Sequence, residues 1–309
     1  MAEQHTPRSL IVTFYGAYGR PERGPVPVAA LIRLLGAAGV DAPSVRSSVS
    51  RLKRRGFLVP ARTAQGAAAY ALSEEAREML ADGDRRIYRT PDAPGGGADE
   101  WLLAVFSVPE QERHKRHLLR SRLARLGFGT AAPGVWIAPA RLYEETRHTL
   151  DRLHLGGYVD LFRGAHLGFA PTAEAVSRWW DLTAIAKQHE EFLDLHEPVL
   201  RGWQSRAAGS PPEDDPRVGG PREGGSPEAG GSPGTGGSPE TGGSPEGGRA
   251  ERAYRDYLLA LDSWRRLPYA DPGLPSALLP SDWPGERSAA VFAELHARLR
   301  DAGAAFAAL

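Results

Sequence analysis

A stretch of basic and hydroxyl side chains between residues 41 and 65 is the part of the chain best suited to chemistry with a polyanion. No acidic residue occurs between Asp41 and Glu74, whereas six basic residues do. Arginine can pair bidentately with guanine in the major groove of DNA, and serine can contact bases or phosphates. The candidate DNA-contacting residues are Ser44, Arg46, Ser47, Ser50, Arg51, Lys53, Arg54, Arg55, Arg62 and Gln65.

A helix that begins after Asp41 would position most of these side chains. Asp41 is a favourable N-cap residue, and Val45, Val49 and Leu52 follow at the i, i+4 and i+7 spacing of a buried helical face. Gly56 would end the helix. The spacing therefore predicts an amphipathic helix that buries its aliphatic face and presents its serine- and arginine-bearing face outward.

Position along this helix predicts what each side chain would contact. Early outer-face residues would meet base edges, whereas Lys53, Arg54 and Arg55 at the helix end would meet phosphates. Arg62 and Gln65 lie further on, where they would reach the DNA backbone or the minor groove. The alternative interpretation is a solvated basic face on an ordinary helical domain.

Residues 1–90 as a whole read as a winged helix-turn-helix domain. Apolar residues at helical spacing predict two helices before the one that starts after Asp41, and 57–62 and 67–72 read as two strands joined at Gly66. Three helices followed by a hairpin is the order of elements in that fold. The domain would carry the DNA-contacting residues on its third helix and on its hairpin.

The rest of the chain predicts a second domain, a linker and a helical domain. Residues 98–170 alternate strand, helix, strand, strand, helix and strand, which is the ferredoxin-like βαββαβ order. Residues 171–208 read as the first part of a C-terminal helical domain, 209–248 as a disordered Gly/Ser/Pro linker, and 249–309 as the second part of the helical domain. The predicted fold class is α+β.

Charge and composition narrow the class of protein. The chain of 309 residues has no net charge, but residues 1–90 contain 14 basic and 8 acidic residues, which points to a polyanionic partner at one end. There is no cysteine, so disulfides, thiolate nucleophiles and cysteine-ligated metals are excluded and a cytoplasmic location is expected. No apolar stretch approaches the length that a bilayer requires, so no membrane partner is expected.

Enzyme motifs are absent or stand in the wrong context. The chain has no Gly-x-x-x-x-Gly-Lys phosphate loop and no Gly-x-Ser-x-Gly elbow. Residues 127–132 match a permissive dinucleotide pattern but follow a predicted helix. His189-Glu190 lacks the second histidine of a zincin helix, and His114 and His117 lie in a basic helix, so we interpret these histidines as solvated. We expect no enzyme activity, metal or cofactor, although an enzyme of coenzyme A or aromatic catabolism that binds phosphates through the basic segment stays open.

Six stretches of the chain share their pattern with one known family. They are 39–57 with Val45-Arg46-Ser47 and Ser50-Arg51-Leu52, Tyr70-Ala71-Leu72-Ser73, Arg85-Arg86-Ile87-Tyr88, 126–129, 134–139, and 271–285 with Pro280-Ser281-Asp282-Trp283-Pro284-Gly285. Together they resemble the PaaX-type repressors of phenylacetate degradation. The Gly/Ser/Pro tract departs from that family, because it interrupts what resembles a contiguous helical domain.

The resemblance implies a homodimeric transcriptional repressor that binds double-stranded operator DNA. It also implies an effector of the aryl-acetyl coenzyme A type, an acyl-CoA thioester whose binding releases the operator of an aromatic-acid catabolic operon. The central domain is also similar to small CRISPR-associated nucleases, which place a metal-binding aspartate at the end of their first strand. Here 106–110 contains no aspartate, so nuclease activity is not expected.

Overall fold

The computed structural model describes residues 5–20, 24–88, 100–207 and 245–308. These residues form an α+β chain in which helices predominate and both sheets are antiparallel. We refer to residues 5–88 as the N-terminal block, 100–165 as the central block, and 172–207 with 245–308 as the C-terminal block.

The N-terminal block contains four helices around a three-stranded sheet. Asp41 caps the third helix by accepting a hydrogen bond from the Ser44 backbone N–H (2.8 Å), as the sequence predicts. The sheet order is β1-β3-β2, so the second strand is an edge strand. The elements are α1 (Pro7–Ala17), β1 (Val26–Pro27), α2 (Val28–Ala37), α3 (Ala42–Arg54), β2 (Leu58–Arg62), β3 (Ala68–Leu72) and α4 (Glu74–Ile87).

Two of these elements, β1 and α4, are not predicted from the sequence. Helix α4 has a recognisable start, because the Ser73 hydroxyl accepts the Ala76 backbone N–H (3.1 Å) and Glu74 and Glu75 occupy the first turn. Strand β1 has two residues, paired with Tyr70 and Ala69 of β3. A two-residue strand forms only because a partner strand lies beside it, and it is too short to show the alternation of apolar and polar residues that predicts a strand.

The central block is a four-stranded sheet in the order β5-β6-β4-β7, with helices on one face. Alternate residues of its first strand face opposite ways: Leu102 and Ala104 pack towards its two helices, and Trp101 packs with Ile137 on the other face. The elements are β4 (Glu100–Phe106), α5 (Arg113–Arg125), β5 (Gly129–Ala132), β6 (Val135–Pro139), α6 (Tyr143–Arg152) and β7 (Val159–Ala165).

The C-terminal block is helical and covers the second face of that sheet. The helical stretch predicted over residues 171–208 consists of two helices, because Asp181 caps the longer one by accepting the Ala184 backbone N–H (2.9 Å). The Trp180 ring packs against the sheet and donates its N–H to the Gly127 carbonyl (2.9 Å). The helices are α7 (Thr172–Trp179), α8 (Leu182–Ala207), α9 (Pro245–Trp264), α10 (Leu267–Ala270) and α11 (Gly285–Ala304).

Most of the predicted linker, residues 209–248, lies outside the described residues. Its predicted end is wrong, because 245–248 are the first residues of α9. Proline suits the first turn of a helix, where its missing N–H costs no hydrogen bond, and Glu246 in that turn is favoured by the helix dipole. The two glycines that follow belong to a helix stabilised by its later, buried turns.

The N-terminal and C-terminal blocks share one hydrophobic core, although the sequence predicts them as separate domains. Phe14 of α1, Leu31 of α2, Tyr254 and Leu258 of α9 and Leu295 of α11 are fully buried in the same cluster. Periodicity shows that a helix buries a face but does not show what it is buried against. Helix α1 therefore joins the two blocks as one packed unit.

The close approach of α9 and α11 depends on a glycine. A Cβ atom at Gly303 would lie 2.7 Å from the Tyr254 Cα atom and 2.8 Å from its backbone nitrogen. Tyr254 is fully buried, so neither backbone can move aside without disturbing the shared core.

Within the described ranges, no helix combines the length and the apolar character needed to cross a membrane.

Candidate nucleic-acid interface

Helix α3 buries one face, as predicted. Val45, Val49 and Leu52 belong to the shared core, and Ser48, at the intervening turn, is also buried. These positions follow the i, i+3, i+4, i+7 spacing of a helical face that packs against a protein. The helix therefore has a fixed rotation about its own axis, which determines which side chains point outward.

The opposite face of α3 carries the predicted contact residues. Ser47, Ser50 and Arg54 lie one above another on the side away from the buried valines, at spacings of three and four residues. Ser44 is half-buried. The exposed members of the predicted set are Arg46, Ser47, Ser50, Arg51, Lys53, Arg54, Arg55, Arg62 and Gln65.

The cations of this face have no structural partner in the described part of the chain. Arg46, Arg51, Lys53, Arg54 and Arg55 make no side-chain hydrogen bond or ion pair with any described residue. The last-turn cations interact favourably with the C-terminal end of the helix dipole, which for an exposed charge contributes about 0.3–1 kcal/mol. The helix dipole does not favour a cation at Arg46, because this residue lies in the first half of the helix.

The hairpin of β2 and β3 presents Arg62 and Gln65 beside α3. Arg62 donates a hydrogen bond through Nη1 to the Gly66 carbonyl of its own turn (2.8 Å), and Gly66 has a φ of +82°, a left-handed conformation that favours glycine. Gln65 lies at the tip of the turn and is exposed. One of the two predicted side chains is thus held by its own hairpin, whereas the other is unconstrained.

A single acidic residue, Asp41, borders this face at the start of α3. The hydrogen bond from the Ser44 backbone N–H lowers the pKa of the Asp41 carboxyl, which is therefore ionised at neutral pH. This negative charge lies at the positive end of the helix dipole and fixes the first turn. The rest of the exposed surface of α3 and its hairpin is neutral or basic.

Arg86 holds the N-terminal block against the central block, and sequence reasoning assigns it no role. It is buried in α4 and donates to the carbonyls of Arg125 and Leu126 at the end of α5, each at 2.7 Å. Its Nη2 also lies 3.3 Å from a Glu145 carboxylate oxygen, and its guanidinium lies 5.0 Å from the centre of the Tyr269 ring. One side chain thus contacts all three blocks.

Asp262 joins α1 to α9 and is the other buried charge that sequence reasoning missed. Its carboxylate is fully buried and accepts hydrogen bonds from Ser9 Oγ (2.6 Å), Thr13 Oγ1 (2.7 Å) and Arg265 Nε (3.2 Å). His5 Nδ1 lies 3.0 Å away. Burial alone would raise the pKa of Asp262, but the hydrogen bonds and the arginine charge outweigh it and lower the pKa below its usual range.

A serine, a histidine and an aspartate form a hydrogen-bonded chain in the C-terminal block. His189 Nδ1 lies 2.6 Å from Ser288 Oγ, and His189 Nε2 lies 3.1 Å from Asp271 Oδ2. The interpretation of His189 as solvated is wrong, because its side chain is 3% exposed and both ring nitrogens have partners. Ser288 is fully buried and donates to the Gly285 carbonyl, so this chain ties α8 to α11 and offers no nucleophile to a substrate. His114 and His117 are exposed, as expected.

The described residues contain no group of three or more histidine, cysteine, aspartate or glutamate side chains that could hold a metal ion. The outer face of α3 offers an electrostatic arrangement instead. Helix α3 and Arg55, the residue directly after its end, together present five unpaired cations, and two serines lie at the centre of the same face. Such a face can bind a polyanion along its length.

Three family models match successive parts of the chain. Residues 6–76 match the PaaX-like protein model, residues 96–176 match the PaaX protein central Cas2-like domain, and residues 243–309 match the PaaX-like protein C-terminal domain. The chain belongs to the PaaX family. The resemblance found in the sequence is therefore confirmed in all three parts of this PaaX chain.

Two known proteins are similar to this PaaX chain over most of its length. The transcriptional repressor PaaX of Escherichia coli (strain K12) is 23% identical over 301 residues, which cover 96% of this chain and 82% of that protein. The solved structure of the uncharacterized protein Rv0674 from Mycobacterium tuberculosis matches with a TM-score of 0.52 and 18% identity, over 97% of this chain and 99% of that chain. The second likeness shows a shared fold alone.

Proposed function

We propose that this PaaX chain is a DNA-binding transcriptional repressor that reads the major groove with α3. The observation that carries the proposal is the set of exposed, unpaired cations on the outer face of a helix whose inner face is fixed in the core. An α-helix fits the major groove, and unpaired arginines retain their full capacity to bind phosphates and guanines. The chain is a regulator and not an enzyme, in agreement with the description of its curated relative as a transcriptional repressor.

The order of elements supports a winged helix-turn-helix in the N-terminal block. Helices α1, α2 and α3 precede the β2–β3 hairpin, which would act as the wing. The strand order β5-β6-β4-β7, with both helices on one face, supports a ferredoxin-like fold for the central block. We place the ends of these two domains near residues 90 and 170, with the helical domain following.

Within this proposal, the position of each site residue along α3 determines which part of the DNA it contacts. Arg46, Ser47 and Ser50 would meet base edges, and Lys53, Arg54 and Arg55 would meet phosphates on the groove wall. Ser44 and Arg51 would flank these contacts, with Arg62 and Gln65 at the wing. The chain would act in the cytoplasm as a homodimer on an inverted repeat, with its two copies of α3 about one helical turn of DNA, or a multiple of it, apart.

An effector of the aryl-acetyl coenzyme A type would release the operator of an aromatic-acid catabolic operon. Release requires that the effector bind the DNA-free arrangement of the dimer more tightly than the DNA-bound one. A hundredfold loss of operator affinity corresponds to about 2.7 kcal/mol of coupling between the two sites. The family membership of all three blocks supports this regulatory arrangement.

A gel-retardation experiment tests DNA binding. The full-length protein is titrated into the DNA upstream of its own coding sequence at about 150 mM salt, beside a scrambled duplex of equal length and composition. We expect retardation of the upstream DNA at concentrations at least tenfold lower than those required for the scrambled duplex. Equal retardation of both duplexes, or none, would contradict the proposal, and turnover of aryl coenzyme A esters without retardation would favour the enzyme alternative.

A further inference from the structure

A cavity of about 290 Å³ lies where the three blocks meet. One wall is formed by α1 and α4 of the N-terminal block, the opposite wall by α9, α10 and the residues between them, and Arg125 of the central block stands at the side. Helix α1 also packs against α3, so the first wall is joined directly to the candidate DNA-contacting helix. A ligand in this cavity would touch every block of the chain.

The lining combines an apolar body with cationic groups. Val12, Leu80, Ile87 and Leu261 supply apolar surface, and Tyr88 adds an aromatic ring. The charged residues that line the cavity are Asp84, Arg125, Arg265 and Arg266. A small number of charged groups in an apolar cleft is typical of sites for amphipathic small molecules.

The balance of charge favours an anion. Arg265 and Arg266 are paired with Asp262, and the lining carboxylate, Asp84, is paired with Arg20, so each of these three charges already has a partner within the fold. Arg125 makes no side-chain hydrogen bond or ion pair with the rest of the described chain and lies 5.9 Å over the Tyr269 ring. An unpaired guanidinium at the side of an apolar cleft is well placed to bind a carboxylate or a phosphate.

Two glycines inside helices form part of the cavity wall. Gly16 lies in α1 and Gly83 in α4, positions where alanine would favour the helix by about 1 kcal/mol each. A Cβ atom at Gly83 would lie 3.4 Å from the Tyr269 hydroxyl across the cavity, and one at Gly16 would lie 3.8 Å from Leu80. Gly83 therefore widens the space between the two walls, and Gly16 widens the space between α1 and α4 within one wall, each at a cost in helix stability.

We infer that this cavity is the effector site, and that it takes an apolar acyl or aryl group carrying a negative charge near Arg125. This inference rests on the proposed function, since it locates the ligand that would regulate DNA binding. The volume is at the small end of ligand pockets, which span about 300–1,000 Å³, and suits an aryl or short acyl group but not a whole nucleotide. The remainder of a thioester would extend past the cationic side of the cavity.

The position of the cavity gives the ligand a route to α3. Its two walls belong to blocks that share one core, so a ligand that separates α4 from α10 changes how the N-terminal block sits on the C-terminal block. A ligand acts on DNA binding only through such a difference in affinity between two arrangements. By reciprocity, the factor by which the ligand weakens DNA binding equals the factor by which DNA weakens ligand binding.

Calorimetric titration of the full-length protein without DNA tests the inference with three probes: phenylacetyl-coenzyme A, phenylacetate and coenzyme A. We expect phenylacetyl-coenzyme A or phenylacetate to bind, and coenzyme A alone to bind at least tenfold more weakly than the better of the two. Comparison of the first two probes shows whether the anion comes from a thioester's phosphates or from a free carboxylate. Absence of binding by both acyl-bearing probes would overturn the inference.

Two pairs of variants test the location. Gly83→Ala adds a methyl group inside the cavity and Arg125→Glu reverses the unpaired charge, and we expect each to weaken the binding probe at least fivefold. Gly36→Ala adds a methyl group to a helical glycine with no atom within 4 Å, and Arg113→Glu reverses an exposed charge on the same helix as Arg125. Both controls should stay within twofold of the wild type. Equal binding by all four variants and the wild type would overturn the location.

DNA retardation by the same preparations separates this inference from the proposed function. Without ligand, Arg125→Glu and Gly83→Ala should retard operator DNA within threefold of the wild type, because neither residue belongs to the α3 face. Retardation by the wild type together with failed ligand binding would reject the cavity and leave the repressor assignment intact. Ligand binding at the cavity without any retardation would reject the repressor assignment instead.

Discussion

The cations on the outer face of α3 are unpaired, whereas those around Asp262 are paired within the fold. On α3 and at Arg55 directly after it, five cations are exposed and have no partner among the described residues. At the contact between α1 and α9, Arg265 and Arg266 both pair with the buried Asp262 carboxylate, which also accepts hydrogen bonds from the Ser9 and Thr13 hydroxyls. We call this group of five residues the seam. A charge whose interactions are satisfied within the fold stabilises the fold, whereas an unpaired row of like charges is available to a partner.

This contrast explains why a count of charged residues alone does not single out the proposed DNA-contacting face. Basic residues occur throughout the chain, and many are paired, such as Arg287 with Glu197 (2.6 Å). What distinguishes α3 is the combination of exposure, like charge and a fixed inner face. Removing residues at the seam should therefore change stability, and removing residues on α3 should change DNA binding but not stability.

The largest expected effect is on the stability of the seam. Asp262→Ala leaves Ser9, Thr13 and two arginines without their common acceptor, and loss of one partner from a buried charge network costs about 3–5 kcal/mol. Denaturant unfolding followed by circular dichroism measures this loss. Asp301→Ala removes an exposed carboxylate and should stay within about 0.5 kcal/mol of the wild type. A loss below about 1 kcal/mol for Asp262→Ala would refute the role given to the seam.

The close contact of α9 with α11 should respond to a single methyl group. Gly303→Ala forces a Cβ atom against the Tyr254 backbone, and overpacking of this kind costs about 1–3 kcal/mol, although alanine favours a helix. Thermal unfolding is the measurement. Gly36→Ala, at an open helical position, should be neutral or stabilising by up to about 1 kcal/mol. Equal effects of the two substitutions would contradict the packing described for these helices.

Arg46→Ala should separate binding from stability. Loss of a bidentate contact with a base costs about 1–3 kcal/mol in DNA binding and relaxes base preference at one operator position. Fluorescence anisotropy with the upstream DNA and single-base variants measures both effects. Since the Arg46 side chain is exposed and unpaired, the free energy of unfolding should change by less than about 0.5 kcal/mol. Undiminished binding with unchanged base preference would exclude Arg46 from the interface.

The smallest expected effect is the pH dependence of the seam. Because the folded pKa of Asp262 is lowered, its contribution to stability is present above the unfolded pKa of about 3.9 and is lost as the pH falls below it. At pH 4 the loss is a few tenths of a kcal/mol, and it grows as the pH falls further. Asp262→Asn should lack this part of the acid dependence. Identical acid dependence in the wild type and the variant would show that the carboxylate is not the group responsible.

The sequence predicts α3 well because the information is local. Asp41 marks its start, Val45, Val49 and Leu52 define its buried face, and Gly56 follows its end. Exposure of the remaining side chains follows from the helical period. The same reasoning finds both strands of the hairpin and the order of elements in the central block, since each depends on patterns within 5–15 residues.

The sequence does not predict the contacts that hold the blocks together. Arg86 and Asp262 look like ordinary surface charges in a list of residues, because burial of a charge depends on donors and acceptors far away in the chain. Asp262 and its hydroxyl partners are about 250 residues apart. For the same reason His189 reads as solvated, although Ser288 and Asp271 enclose it.

Salt dependence tests the central claim most directly, because it counts the phosphates that the protein neutralises. The affinity of the wild type and of the R51A/K53A/R54A/R55A variant for the upstream DNA is measured from about 50 to 200 mM salt. Each lost phosphate contact reduces the slope of log affinity against log salt by about 0.9, so loss of the three phosphate contacts proposed for Lys53, Arg54 and Arg55 predicts a slope shallower by about 3 in the variant. Parallel slopes in the two proteins would show that the cations of α3 do not contact DNA.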